Sequence, residues 1–166
     1  MTQWILGLHL APELLTFLLA MLPVAELRVA IPVALGIFGM SIPAAFIFSW
    51  LGSIVPAFIL VYGLGFLSDF LSRNSKTMKK FFDWWFERTY KRFWKHHEKF
   101  GSVALVIFVA IPLPVTGVWT GSVASFLFGV EKKKSIALIA LGSFIAGVIV
   151  TLVYLGVFSF FEAVKI

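Results

Sequence analysis

The sequence has no cysteine and few charged residues. The absence of cysteine excludes disulfide bonds, thiolate metal ligands and a cysteine nucleophile. Charged residues make up 13% of the 166 residues and hydrophobic residues 60%, whereas a soluble domain carries about 25% charged residues. So little charge cannot cover a water-facing surface, and this composition predicts a single-domain, all-α integral membrane protein.

Two long apolar stretches predict membrane-spanning helices. A spanning helix needs about 20 apolar residues, and residues 41–68 and 135–161 provide them. Two further apolar segments, 12–40 and 100–130, are interrupted near their middle by proline and glycine. Each of these segments is either a single kinked span or a re-entrant hairpin of two half-helices joined at membrane depth, and we favour the hairpins.

Short motifs recur along the chain in the same order. Residues 29–32 (VAIP) recur at 109–112, 51–53 (LGS) at 141–143, and 61–62 (VY) at 153–154. This order indicates an internal repeat, with one hairpin and one span in each of residues 10–68 and 100–161. The two hairpins would then enter from opposite faces of the membrane, as in the inverted repeats of secondary transporters.

The basic residues are concentrated in two places. Of the 14 lysines and arginines, nine lie in residues 69–99 and three in residues 132–134. The positive-inside rule places these segments in the cytoplasm and both termini outside the cell membrane. We expect no cleavable signal peptide, because no basic region precedes the first apolar stretch.

The segment 69–99 is amphipathic. On a helix, one face would carry Met78, Phe81, Phe82, Trp85, Phe86, Thr89 and Phe93. This pattern predicts an interfacial helix lying on the inner leaflet and attracted to anionic lipid, with Trp84 and Trp94 at headgroup depth. We do not expect nucleic-acid binding, because no soluble domain accompanies the segment.

Glu26 and Arg28 are the ionisable residues at membrane depth in the first hairpin, whereas Glu13 lies near its outer edge. Charges at membrane depth are costly, so they are candidates for function. In one interpretation Glu26 carries a proton or cation and Arg28 contacts an anionic group. In the other, the two residues form a structural ion pair that holds the turn.

The second hairpin has an uncharged turn that offers backbone and hydroxyl groups. Half-helix N-termini near Gly117 and Gly121 would present N–H groups to an anion. Threonine and serine at helix ends are equally typical of ordinary helix caps. The predicted substrate or ion site combines both hairpins and comprises Glu26, Arg28, Pro32, Pro112, Pro114, Thr116, Gly117, Trp119, Thr120 and Gly121.

The hairpin sequences resemble a known family. Residues 23–36 (PVAELRVAIPVALG) and 110–121 (AIPLPVTGVWTG) are similar to the two signature blocks of the small multidrug export protein family, which is related to the DedA (VTT-domain) superfamily. The resemblance implies a transporter-like fold with paired re-entrant loops, movement of lipids such as polyprenyl phosphates, and proton dependence. Glu26 and Arg28 correspond to the acidic residue and arginine of the first DedA hairpin, whereas the arginines of the second are replaced here.

These observations predict a secondary transporter or lipid flippase, coupled to protons or another ion, with a midplane site between the hairpin tips. The expected partners are membrane lipids and a small-molecule or lipid-phosphate substrate, and small residues on the two spans leave a homodimer open. No catalytic set, metal spacing or nucleotide loop is present, so we expect neither an enzyme nor a cofactor. The alternative is a non-transporting membrane factor that docks lipids or a partner.

Overall fold

A computed structural model describes residues 11–111 and 117–164. In these residues the chain forms seven α-helices and one 3₁₀ turn, and no strand. The helices are α1 (Pro12–Met21), α2 (Glu26–Gly36), α3 (Ile42–Asn74), α4 (Lys76–Phe100), α5 (Ala104–Ala110), α6 (Val118–Leu127) and α7 (Lys132–Val164), with the 3₁₀ turn at Gly101–Val103.

Helices α3 and α7 are long enough to cross a membrane. Their apolar stretches are Ile42–Phe66 and Lys132–Val157, of 25 and 26 residues, which span roughly 38 Å at 1.5 Å per residue. Less than half of the most apolar part of each is buried in the protein, and large side chains such as Phe66 and Leu152 point outward. Such a surface fits lipid rather than water, and the prediction of an all-helical membrane protein agrees with it.

The remaining membrane segments are pairs of short helices. Helices α1 and α2 pack against each other, as do α5 and α6. With 7 to 11 residues, each arm is about 10–17 Å long, roughly half of a 30 Å hydrocarbon core. Neither segment 12–40 nor segment 100–130 is therefore a single continuous helix.

The sequence predicts an irregular turn over residues 23–28 of the first hairpin and a returning arm over residues 31–40, and the structure differs. Its turn covers residues 22–25, and α2 begins at Glu26 and ends at Gly36. Glu26 and Arg28 thus lie in the first turn of a helix and not in an irregular loop. The helix continues through Pro32, because a proline removes one helical hydrogen bond without always ending a helix.

The basic segment 69–99 divides between two helices. Helix α3 continues to Asn74, since residues 67–74 contain no proline or glycine that would end it. After Ser75, helix α4 begins at Lys76, and the Ser75 hydroxyl accepts a hydrogen bond from the Met78 N–H at 3.4 Å. Ser75 is therefore the N-cap of α4.

The aromatic face of α4 packs in large part against the second hairpin. Phe82, Thr89 and Phe93 are buried, and α4 packs against both arms of the second hairpin. Phe93 is fully buried, with its ring 5.4 Å from that of Phe108 and 4.9 Å from that of Phe128. Protein therefore covers a large part of this face, because periodicity identifies an apolar face but not what covers it, and its contact with the inner leaflet stays a prediction.

The chain separates into two compact units. Unit 1 consists of residues 1–53 and 147–166, and unit 2 of residues 54–146. Unit 1 contains the first hairpin, the first part of α3 and the last part of α7. Unit 2 contains the second hairpin, the last part of α3, the first part of α7 and all of α4. Each long helix thus contributes to both units.

Equivalent glycines pack against the hairpin in both units. A Cβ atom on Gly52 would overlap the carbonyl oxygen of Phe17 in α1, and one on Gly142 would lie 2.8 Å from the carbonyl oxygen of Val106 in α5. These glycines belong to the repeated LGS motif, and their partners are also spaced by nearly the same interval. In each unit the long helix lies directly on the backbone of the hairpin's first arm.

In each unit a glycine and an aromatic residue also meet between the hairpin and a long helix. In unit 1, Gly36 at the end of α2 faces the hydroxyl of Tyr154 on α7. In unit 2, Phe126 near the end of α6 contacts Gly65 on α3. The hairpin supplies the glycine in one unit and the aromatic ring in the other.

Candidate functional site

Glu26 occupies an unusual backbone position. Its φ is 44°, and among the described residues it alone has a positive φ without being glycine. Its N–H donates a hydrogen bond to the Leu22 carbonyl at 3.0 Å, which closes the turn after α1. A left-handed glutamate costs about 1–3 kcal/mol and persists only where the surrounding structure holds it. Such strain is typical of functional sites.

The carboxylate of Glu26 is buried beside a charged partner. Glu26 is only 5% exposed, and its carboxylate interacts electrostatically with the guanidinium of Arg28, which is partly buried. The carboxylate also lies at the N-terminus of α2, where the helix dipole favours negative charge. The two predicted residues are therefore within electrostatic range of each other, as both the functional and the structural interpretation require.

Pro32 lies inside α2, four residues after Arg28. Its ring nitrogen has no hydrogen to donate to the Arg28 carbonyl, as a regular helix would require. This weakens the helix one turn from Glu26. The predicted contact of Pro32 with a substrate stays a prediction.

The turn of the second hairpin is described only at its end. Pro112, Pro114 and Thr116 lie outside the described residues. Gly117 precedes α6 with a φ of 135°, a conformation that glycine adopts readily. Its carbonyl accepts a hydrogen bond from the Gly121 N–H at 2.8 Å, so Gly117 serves as the N-cap of α6.

The other predicted residues of this hairpin lie within α6 and pack against protein. A Cβ on Gly121 would lie 2.5 Å from Cγ2 of Val109, so this glycine allows close contact of α5 and α6. The Thr120 hydroxyl donates to the Gly117 carbonyl at 3.5 Å. Trp119 packs against the cluster formed by Leu60, Leu64, Phe82 and Val123. These contacts give all three a packing role, and a binding role stays a prediction.

Unit 1 contains a further polar residue that sequence reasoning missed. Ser49 on α3 is fully buried, and in the described part of the protein its hydroxyl oxygen has no hydrogen-bond partner. An unsatisfied buried hydroxyl costs about 1–3 kcal/mol. Ser49 and Ser53 lie one helical turn apart in an apolar helix, but the sequence does not show whether such serines face protein or lipid.

The fold is that of a helical membrane protein with two apolar helices of spanning length, two hairpins of short helices and a buried carboxylate beside an arginine. The chain belongs to the family described as "Putative small multi-drug export protein", whose sequence model matches residues 26–149. This range covers about three quarters of the chain, and it confirms the resemblance seen in the hairpin motifs. No curated protein and no solved structure matches the chain. The relation to the DedA superfamily stays a prediction.

Proposed function

We propose that this protein is a secondary transporter or lipid flippase coupled to protons or another ion. The observation that carries the proposal is Glu26, a buried carboxylate on a strained backbone in a helical hairpin. Burying an ionisable group at such a position is costly and is typical of ion and substrate pathways. The export activity in the family's description agrees with transport in general.

The paired hairpins support the proposed architecture. We infer that both are re-entrant and that the chain is an inverted repeat, with its site near the midplane. In support, each hairpin arm is too short to cross the hydrocarbon core, and the glycine contacts of Gly52 and Gly142 recur at equivalent places. Broken helices that meet at mid-membrane are how many secondary transporters build their sites.

Glu26 and Arg28 would together link proton binding to anion binding. While Glu26 is ionised, its carboxylate attracts the Arg28 guanidinium. Protonation of Glu26 removes this attraction and leaves the guanidinium available to a phosphate or carboxylate of the substrate, which arginine can bind through two hydrogen bonds. Loss of the proton restores the original pair and favours release of the substrate.

The attraction between Glu26 and Arg28 also supports a second candidate function. In a non-transporting membrane factor, the two residues would only stabilise the first hairpin. Removing one partner would then leave a buried charge and lower stability, whereas removing both would restore part of the loss. Transport coupling instead predicts that a folded single variant has lost activity.

The test is proton movement in liposomes that contain a pH-sensitive dye. Purified protein is assayed with a polyprenyl phosphate, a phospholipid and cationic drugs, each separately. We expect one substrate class to drive proton movement, and we expect Glu26→Gln to abolish it with little change in melting temperature. Glu13→Gln is the matched control, because Glu13 lies at the opposite end of α1 from the hairpin turn.

The same variants can refute the proposal. Substrate-driven proton movement that survives in Glu26→Gln would exclude Glu26 as the coupling acid. No proton movement, together with a lower melting temperature that the double variant Glu26→Gln/Arg28→Gln restores, would favour the structural pair. A fluorescent-lipid scrambling assay would then determine whether the protein moves lipid without coupling.

A further inference from the structure

The outward face of α4 carries most of the helix's charge. Opposite its buried residues, five basic side chains are exposed: Lys76, Lys79, Lys80, Arg88 and Lys91. Two acidic side chains, Asp83 and Glu87, share this face, so its net charge is positive. Trp84 and Trp94 are also exposed there, at 54% and 43%. Charged and aromatic side chains that are exposed together on one helix face indicate a partner outside the chain.

Local contacts organise this face. The Lys91 ammonium pairs with the Glu87 carboxylate at 2.6 Å, and the Arg88 guanidinium lies 5.5 Å from the centre of the Trp84 ring. The Glu87 charge is therefore already compensated within the helix, and Arg88 is held over an aromatic ring. Lys76, Lys79 and Lys80 remain exposed in the first turns of α4.

A second basic element lies at the start of α7. Lys132, Lys133 and Lys134 are all exposed in its first turn. Positive charge at a helix N-terminus opposes the helix dipole and is unfavourable. The helix itself gives no reason for three lysines at this position. An external anion would offset this cost.

Both basic elements belong to one region of unit 2. Phe128, in the connection from α6 to α7, stacks on Tyr90 with ring centres 5.0 Å apart and lies 6.0 Å from the Trp94 ring. Lys132 follows four residues later, and four residues span at most about 14 Å. The first turn of α7 is therefore near the second half of α4.

We propose that the outward face of α4 and the first turn of α7 bind the headgroups of anionic phospholipids. We call these residues the basic surface; they are Lys76, Lys79, Lys80, Trp84, Arg88, Lys91, Trp94 and Lys132–Lys134. Lysine and arginine pair with lipid phosphates, and tryptophan favours the headgroup region. This goes beyond the proposed transport function and does not depend on it.

The position of the basic surface in the sequence favours lipid over a soluble acidic polypeptide as the partner. The apolar stretch of α7 begins at Lys132 itself, so these lysines lie where a spanning helix would leave the hydrocarbon core. The Lys132 ammonium is 5.3 Å from the centre of the Tyr62 ring, near the end of the apolar stretch of α3. Lysine and tyrosine together at the end of spanning helices are typical of the membrane interface.

The test measures the preference of the reconstituted protein for anionic lipid. The full chain is placed in phosphatidylcholine nanodiscs with trace spin-labelled phosphatidylglycerol or phosphatidylcholine, and electron paramagnetic resonance gives the relative association constant. We expect a preference for phosphatidylglycerol that decreases at high salt. The variant Lys132→Gln/Lys133→Gln/Lys134→Gln should lower it by up to about fivefold per lysine removed.

Two further variants separate the effect of charge from the other effects of substitution. Replacing the same three lysines by arginine should preserve the preference, because the charge is retained. Arg88→Gln/Lys80→Gln should lower the preference for phosphatidylglycerol by removing positive charge from α4 alone. An equal preference in wild type and in both glutamine variants would overturn the proposal. So would a wild-type protein that shows no lipid preference but binds soluble polyglutamate, since the partner would then be an acidic polypeptide.

Discussion

Gly142 offers the sharpest test of the packing between hairpin and long helix. An alanine Cβ at this position would lie 2.8 Å from the carbonyl oxygen of Val106 and 2.8 Å from the Cβ of Val109. Neither neighbour is the end of a flexible side chain, so α5 and α7 must move apart. Overpacking of this kind costs about 1–3 kcal/mol.

The matched control is Gly63→Ala in α3, where a new Cβ meets nothing within 4 Å. Both substitutions gain the same helix propensity, about 1 kcal/mol. The difference between the two variants therefore isolates the steric cost. We expect Gly142→Ala to have a free energy of unfolding about 1–3 kcal/mol lower than that of Gly63→Ala.

The assay is reversible unfolding in mixed micelles with increasing SDS, followed by circular dichroism. Gly52→Ala should be more severe than Gly142→Ala, because its Cβ would overlap the Phe17 carbonyl and lie 3.0 Å from the Ala20 Cβ. If Gly142→Ala stabilised the protein as much as Gly63→Ala, α5 and α7 would not be in direct contact, and the equivalence of the two units would lose its main support.

Two further predictions concern α4. Phe93→Ala should lower the free energy of unfolding by about 3–5 kcal/mol, because Phe93 is fully buried. Phe81 is 46% exposed, so Phe81→Ala should lower the free energy of unfolding far less in the same assay. Equal losses in the two variants would contradict the face of α4 that the structure buries. The hydrogen bond from Lys91 holds the pKa of the Glu87 carboxyl below its usual value, so its small stabilising effect should exist at neutral pH and be lost as the pH falls through that lowered pKa. Carbon-13 NMR should show the Glu87 midpoint rising in Lys91→Gln, and an unchanged midpoint would exclude the pair in solution.

The candidate site could be predicted from the sequence only in part. Glu26 and Arg28 stand out because charges are rare in an apolar segment, and in the structure they are within electrostatic range of each other. Ser49 did not stand out, because a buried serine and a lipid-facing serine look alike in a sequence. Trp119 and Gly121, which belong to the predicted site, lie in α6 and pack against protein, since helix boundaries near proline and glycine depend on tertiary contacts.

The sequence by itself determined the class of protein, the two long apolar helices, the broken segments and the family. These features follow from composition, from proline and glycine positions and from motifs, all of which act locally or are carried by the residues themselves. Only the tertiary structure decided that the aromatic face of α4 covers the second hairpin, that Glu26 has a left-handed backbone and that each long helix contributes to both units. These features depend on contacts between residues far apart in the chain, and hydrophobic periodicity shows that a face must be covered without showing by what.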